Sequence, residues 1–242
     1  MTNRGRVEDP FFRDDEETGF PALKPRDAAS LILVRREKRT IRVLMGERHR
    51  GHVFLPGRFV FPGGRLDVGD LRLALPTDLT PHVRAKVAAG TSEARARGLG
   101  LAAIRETFEE TGVLVGTPAG LAPRTRSEPW RRFFVHGVMP ALEALEFIGR
   151  AITPPGRPRR YDARFFMADA EHIAHTPGAR EGSGELLKPA WLTLDEARRA
   201  PIIPITRFIL DEIEARLADG PGVERPVPFI LPRRGKAIIR PL

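Results

Sequence analysis

Three glutamates crowd a short stretch of the chain, RETFEETGV, which runs from Arg105 to Val113. Glu106, Glu109 and Glu110 are spaced i, i+3 and i+4, so an α-helix would carry them on one face. Like charges at this spacing destabilise a helix by roughly 0.2–0.5 kcal/mol per pair. Hard divalent cations such as Mg²⁺ or Mn²⁺ prefer oxygen ligands and would offset that repulsion. A solvated acidic helix face is the alternative interpretation.

Two neighbouring residues favour an organised site. Arg105 precedes Glu109 by four residues, so its guanidinium can hold that carboxylate by a charge-assisted contact and fix its rotamer. Gly112 is a typical C-terminal cap and would end the helix directly after the acidic face.

A second stretch, FVFPGGRLDVGD, runs from an apolar strand through two glycines to Asp70. A glycine such as Gly64 lets the backbone approach a phosphate or a metal, because no Cβ stands in the way. The stretch carries too little negative charge for metal chemistry by itself. Its partner must therefore come from another part of the chain.

Together the two stretches resemble the Nudix box, G-x5-E-x7-R-E-U-x-E-E-x-G-U, in which U is aliphatic. The matching residues are Gly64, Arg105, Glu106, Glu109, Glu110, Gly112 and Val113. The chain departs from the pattern in three ways. Asp70 replaces a glutamate, Thr107 replaces an aliphatic residue, and residues 71–104 replace a seven-residue spacer. Since Asp70 is one methylene shorter, we expect it to support the site by a salt bridge rather than to bind metal.

The resemblance implies a metal-dependent hydrolase that cleaves a nucleoside diphosphate linked to another moiety. It implies Mg²⁺ or Mn²⁺ as cofactor, Arg105 as an orienting residue, and metal ligands at Glu106, Glu109, Glu110 and the carbonyl of Gly64. A further catalytic acid would come from the glycine-rich loop at 176–191. Glu185 is the preferred candidate there, with Glu181 as the alternative.

The substrate is less closely defined than the chemistry. Arg48, Arg58 and Arg160, with Arg159, are candidates to contact phosphates, and ordinary surface arginines are the alternative. The inserted box is similar to the Nudix branch that includes coenzyme A diphosphatases, so coenzyme A or an acyl form is the first candidate. Nucleotide sugars, dinucleotides and nucleoside triphosphates are alternatives. A non-catalytic Nudix-fold protein that binds nucleotides or nucleic acid is a second class.

Composition narrows the partners. The 242 residues carry 40 Lys and Arg against 31 Asp and Glu, and the net charge of +9 favours polyanionic partners such as nucleotides, phosphorylated cofactors, nucleic acid or an acidic surface, with solvated surface charge as the alternative. The absence of cysteine excludes disulfides, thiolate metal sites and a cysteine nucleophile. No secretory signal or membrane-length apolar run is present, so we expect a cytoplasmic protein without a membrane partner. Nucleic acid is an unfavoured partner, and a homodimer is left open.

Apolar patterning predicts alternating strands and helices and hence a mixed α/β (α+β) fold. The resemblance implies a Nudix α/β/α sandwich with a mixed central sheet and a helical insertion. We expect an N-terminal arm at 1–27 and a single domain at 28–242, with an inserted helical flap at 71–101 over the cleft. The predicted strands are 28–36, 41–48, 58–61, 113–116 and 161–170, with a strand then a helix in 189–200. The predicted helices are 82–97, 101–111, the second half of 129–150, and 205–218.

Overall fold

A mixed sheet of nine strands runs through the described part of the protein, and helices cover both of its faces. The computed structural model describes residues 19–21, 23–38, 40–49, 51, 55–174, 186–220, 223–233 and 236–242. This architecture confirms the predicted α/β/α sandwich with a mixed central sheet. Among the helices of these ranges, none is long and apolar enough to cross a membrane.

The strands are β1 (Arg26–Glu37), β2 (Thr40–Arg48), β3 (Phe59–Val60), β4 (Gly63–Arg65), β5 (Gly116–Pro118), β6 (Val138–Pro140), β7 (Glu146–Ile152), β8 (Tyr161–Asp169), β9 (Leu186–Thr193), β10 (Pro228–Arg233) and β11 (Lys236–Pro241). The helices are α1 (Val68–Arg72), α2 (Pro81–Val87), α3 (Glu93–Thr111), α4 (Glu128–Phe134), α5 (Leu194–Arg199) and α6 (Pro204–Asp219). Short 3₁₀ turns lie at Leu142–Ala144 and Ala170–His172.

The large sheet follows the order β11-β10-β7-β8-β1-β2-β3, with β4 also paired to β1 and β9 to β2. β1 is parallel to β8 and antiparallel to β2 and β4. β5 and β6 form a separate two-stranded sheet. The pairing of β4 with β1 holds the glycine turn beside the centre of the large sheet.

Alternate residues of β1 enter different cores, as the period of a strand requires. Leu31 and Leu33 pack in the core under α3, whereas Ile32 and Val34 pack in the core under α6. All four side chains are at most 2% exposed. Burial on both faces explains why the strand reads as a continuous apolar run rather than as an alternating one.

α3 carries the acidic stretch, and it begins eight residues earlier than predicted. Ser92 caps its start by accepting a hydrogen bond from the Arg95 N–H, and Gly112 ends it in the left-handed conformation at φ 73°. The expected start at 101 was wrong because the helix is buried on most sides and lacks a clear amphipathic period. Glycines in its second turn also lower the helical signal.

Several other boundaries differ from the expectations. The predicted helix at 82–97 is two helices, since α2 ends at Val87 and α3 begins at Glu93. In 129–150 the helix lies in the first half and strands in the second, because the chain turns at Gly137, which has φ 66°. The strand expected at 113–116 begins only at Gly116.

The inserted segment packs into the core under α3. Leu73, Leu79, Val83 and Val87 are each at most 8% exposed there. α2 contacts both α3 and β7, and residues 93–101 form the first half of α3 itself. The segment is helical as expected, but it builds the sandwich instead of forming a separate flap.

Candidate active site

Arg105 organises the acidic end of α3, and all five of its N–H donors are used. Nε and Nη2 donate to the two carboxylate oxygens of Asp70 at 2.9 and 3.0 Å. Nη1 donates to Glu106 at 2.8 Å and to Glu109 at 2.6 Å, and Nη2 also donates to the Arg65 carbonyl at 2.9 Å. Three carboxylates therefore share one positive charge.

Asp70 lies behind this arginine and is fully buried. Besides the bidentate contact with Arg105, it accepts hydrogen bonds from Trp130 Nε1 and from the Asp67 N–H, both at 2.9 Å. The salt bridge expected for Asp70 is present. A carboxylate engaged by so many donors fixes the arginine, which in turn fixes the two glutamates.

Glu106 lies directly against the glycine turn. A Cβ added to Gly64 would stand 2.3–2.5 Å from the carboxylate atoms of Glu106, so only glycine leaves room for this contact. Burial raises the pKa of Glu106 to about 7; Arg105 lowers it and the charge of Glu109 raises it. A nearby cation would favour the ionised carboxylate.

Glu110 occupies a different position from the other two glutamates. It is 2% exposed and accepts a hydrogen bond from the Gly63 N–H at 2.9 Å, whereas Glu106 and Glu109 line a cleft. The helix face thus divides, with two carboxylates at the cleft and one holding the glycine turn from behind.

The part of the cleft that carries the carboxylates fits a hard divalent cation in ligand type and charge. Glu106 and Glu109 supply partly exposed carboxylates, and Glu106 lies against Gly64. The negative charge of Glu106 and Glu109 together is larger than the positive charge of Arg105, the single arginine that contacts both. Within the described ranges, however, no three His, Asp or Glu side chains are arranged as a ready-made cage. The side chains therefore fit Mg²⁺ or Mn²⁺ chemically without presenting a closed set of ligands.

The cleft has a volume of about 470 Å³ and is lined by two chemically different sets of residues. The polar set includes Gly63, Gly64, Arg105, Glu106 and Glu109. The apolar set, called the apolar wall, comes from several elements of the sheet and from the start of α6, namely Val60, Phe61, Ile152, Phe165, Ile203, Pro204, Ile205 and Ile230. This wall was not foreseen, because its members are far apart in the chain and each resembles an ordinary core residue.

The structure places some of the arginine candidates for phosphate binding at the cleft and others away from its lining. Arg48 and Arg159 line the cleft, and Tyr161 lines it with them. Arg58 and Arg160, both expected to contact phosphate, are not among its lining residues. Arg160 instead donates to the backbone carbonyls of Thr153 and Leu23 at 3.0 and 2.5 Å, so it ties the N-terminal segment to the body.

Two further expectations concern the cleft. The segment 71–101, all of which is described, contributes no residue to the lining of this cleft, and its role as a flap over the cleft stays a prediction. Glu185 and Glu181, the expected loop acids, lie outside the described residues.

A comparison with solved structures agrees with the fold described above. The crystal structure of a NUDIX hydrolase from Alicyclobacillus acidocaldarius is 25% identical in sequence and matches with a TM-score of 0.59. The match covers 78% of this chain and 90% of that one. The chain shares the fold of this Nudix hydrolase. No protein-family model matches the chain.

Two other structures resemble this chain more distantly. The NUDIX domain of Shewanella oneidensis NrtR, complexed with ADP ribose, is 12% identical with a TM-score of 0.46, over 81% of this chain and 90% of that one. A NUDIX hydrolase from Nitrosomonas europaea is 14% identical with a TM-score of 0.46, over 80% and 90%. Neither likeness bears on the substrate.

Proposed function

We propose that the protein hydrolyses the diphosphate linkage of a nucleoside diphosphate joined to another moiety, with Mg²⁺ or Mn²⁺ as cofactor. Support comes chiefly from one contact: Glu106 and Glu109 are held at the cleft by the same Nη1 of Arg105. A carboxylate pair fixed in this way at an open cleft is a suitable site for a hard cation and a diphosphate.

The protein's own side chains would act mainly by positioning. Arg105, fixed from behind by Asp70, keeps the rotamers of Glu106 and Glu109 constant, so little reorganisation is needed when substrate binds. Neutralising the diphosphate and the developing charge on the leaving oxygen is the chemistry that Mg²⁺ or Mn²⁺ supplies when bound.

Glu106, Glu109, Glu110 and the Gly64 carbonyl are the proposed metal ligands, and Glu106 is also the candidate base that orients the attacking water. The hydrogen bond from Gly63 to Glu110 ties this third glutamate to the same turn. Of the four arginine candidates, Arg48 and Arg159 line the cleft and are kept as the proposed phosphate contacts, whereas Arg58 and Arg160 are not among its lining residues. Glu185 remains a proposed additional acid.

Coenzyme A, or an acyl form of it, is the first candidate substrate. The apolar wall of the same cleft supports this choice, because a pantetheine or acyl group can bury apolar surface there. A nucleotide sugar would place hydroxyl groups against the same wall, and unpaired polar groups are costly to bury.

A substrate panel with each metal tests the proposal. Coenzyme A, acyl-coenzyme A, a nucleotide sugar, a dinucleotide and a nucleoside triphosphate would be incubated with Mg²⁺ or Mn²⁺, and products would be separated by chromatography. We expect coenzyme A forms to be cleaved at the diphosphate, and a chelator to abolish turnover. If no diphosphate compound is cleaved with either metal, a non-catalytic nucleotide-binding role replaces the proposal.

A further inference from the structure

A second cavity adjoins the active-site cleft. It has a volume of about 600 Å³, and Arg65 and Asp67 line both spaces. Since Arg65 directly follows Gly64, the cavity begins one residue from the glycine turn. A ligand that places its diphosphate at the turn could therefore extend into this space, which we call the side cavity.

The side cavity is rich in cations. Lys24, Arg26, Arg65, Arg95 and Arg164 line it, against the carboxylates of Asp27, Asp67 and Asp162. Two of these carboxylates are already neutralised. Asp27 pairs with Arg95 and Arg164, and Asp162 pairs with Arg150 and Arg164.

The remaining cations are available to a ligand. Lys24, Arg26 and Arg65 are exposed, and none of them has a carboxylate partner within 4 Å among the residues that the structure describes. Of the carboxylates that line the cavity, Asp67 alone forms no salt bridge with the residues that the structure describes. Three available cations against one carboxylate leave a positive local charge, which attracts anions.

Two further features favour an anion. Gly90 and Thr91 line the cavity immediately before Ser92, the cap of the 19-residue helix α3, so the positive end of its dipole faces this region. Arg164 is 1% exposed, and its Nε has no hydrogen-bond partner in the described chain. Leaving a buried N–H donor without a hydrogen-bond acceptor costs free energy.

We propose that the side cavity binds a second phosphate of the substrate, a monoester separate from the diphosphate that is cleaved. This inference rests on the proposed function, because the position of the diphosphate at the glycine turn sets where the second phosphate lies. The substrate is thereby narrowed to nucleotides with a phosphate on the ribose in addition to the diphosphate. Coenzyme A, with its 3′-phosphate, has this chemistry, whereas ordinary nucleotide sugars and dinucleotides do not.

Binding without catalysis gives the first test. Adenosine 3′,5′-bisphosphate and adenosine 5′-monophosphate would be titrated into the metal-free protein by calorimetry at fixed ionic strength. We expect the bisphosphate to bind about tenfold more tightly, as one additional charge-assisted contact allows. A variant with Lys24→Gln and Arg26→Gln should lose most of that difference.

The matched control carries Arg124→Gln and Arg126→Gln. Both arginines are exposed and line neither cavity, and the same two positive charges are removed. This control should keep the tenfold preference. Equal affinities for the two nucleotides, or an equal loss in the control, would overturn the proposal. Tighter binding of a short oligonucleotide than of the bisphosphate would overturn it as well.

Kinetics separate this inference from the proposed function. Coenzyme A and 3′-dephospho-coenzyme A would be compared with Mg²⁺; we expect a lower KM for coenzyme A, with that advantage lost in the Lys24→Gln, Arg26→Gln variant. Cleavage of both compounds with equal KM would support the proposed function but contradict the binding of a second phosphate in the side cavity. If neither compound is cleaved and the bisphosphate preference is intact, the proposed function is contradicted, whereas phosphate binding in the side cavity is supported.

Discussion

Arg105 and Arg164 are both almost fully buried, at 2% and 1% exposure, but they serve the fold in different ways. Burial lowers the pKa of both. For Arg105 the hydrogen bond to Asp70 and the charges of Glu106, Asp70 and Glu109 reverse that effect and raise it. For Arg164 the nearby Arg150 adds to the effect of burial, and the pKa stays low despite Asp162 and Asp27.

The difference lies in what each carboxylate partner would retain without its arginine. Among the residues that the structure describes, Asp70 contacts no second cation and otherwise accepts only from the N–H donors of Trp130 and Asp67. Asp27 and Asp162, in contrast, would keep Arg95 and Arg150. A buried arginine is therefore hard to replace where it alone neutralises buried acids, and easier to replace where the acids have other partners.

The largest difference between the two buried arginines is expected in a matched pair of variants, Arg105→Met and Arg164→Met. We expect Arg105→Met to lower the free energy of unfolding by about 3–5 kcal/mol, because it leaves Asp70 buried without its cation. Arg164→Met should lose less than about 2 kcal/mol, since Asp27 and Asp162 would keep Arg95 and Arg150 as partners. Denaturant unfolding measures both. Equal losses in the two variants would contradict the distinction.

Glu109→Gln tests whether the glutamates held by Arg105 contribute to turnover. We expect kcat to fall by about 10²–10³, the usual range for removing one preorganised electrostatic group, while unfolding changes little. Steady-state turnover of the best substrate with Mg²⁺ measures it. Glu143→Gln, at an exposed position outside the cleft, is the control and should leave kcat unchanged. Near-normal turnover of Glu109→Gln would remove Glu109 from the metal site.

Gly64→Ala tests how closely Glu106 must approach the turn. The added methyl would lie 2.3–2.5 Å from the Glu106 carboxylate, so that side chain must move away. We expect kcat to fall at least about tenfold, with a stability loss of about 1–3 kcal/mol from overpacking. Gly120→Ala, where an added Cβ meets nothing within 4 Å, should change neither quantity. Full activity of Gly64→Ala would show that the close contact is dispensable.

The smallest effect is expected at Asp27, in the Arg164 network. Burial raises the pKa of Asp27, but the hydrogen bonds and charges of Arg95 and Arg164 outweigh it and hold the pKa below its usual value. The carboxylate therefore stabilises the fold above its unfolded pKa of about 4, and this contribution is lost as the pH falls through the lower folded pKa.

Asp27→Asn should accordingly cost up to about 1 kcal/mol at pH 7. The difference from the unsubstituted protein should shrink as the pH falls below about 4. Unfolding free energies measured across this range would show it. A difference that stays constant with pH would mean that the carboxylate's charge has no part in stability.

Local signals in the sequence predicted the cluster around Arg105 but not the network around Arg164. Arg105, its glutamates and Gly112 follow one another in a single helix, so their spacing alone indicated a shared site. The pairing of Asp70 with Arg105 across 35 positions was expected only through the resemblance to a known motif. The Arg164 network joins β1, β7, β8 and α3, and no local pattern marks such a set.

The same reasoning explains the errors in the fold. The mixed α/β class followed from the apolar strands and from α6, whose apolar stripe includes the buried Ile209 and Ile213, whereas the α/β/α sandwich was implied by the resemblance. The start of α3 was missed because burial on most sides removes the amphipathic period. Arg58 and Arg160 were selected for their charge, but tertiary packing decides whether a guanidinium lies at the cleft or holds backbone carbonyls.

The inserted segment also affects how the site can form during folding and how it could be engineered. Lengthening a loop costs only about 0.6 kcal/mol per doubling, so separating the two halves of the site adds little entropic cost. Burial of Leu73, Leu79, Val83 and Val87 offsets that cost, because each buried apolar side chain contributes about 1.5–3 kcal/mol.

Cutting the spacer to seven residues would remove these core side chains together with the first turns of α3. The catalytic motif of this protein thus cannot be excised or grafted as a short cassette. Its two halves can meet only after the residues between them have folded, so the site and the surrounding core should form in a single cooperative step.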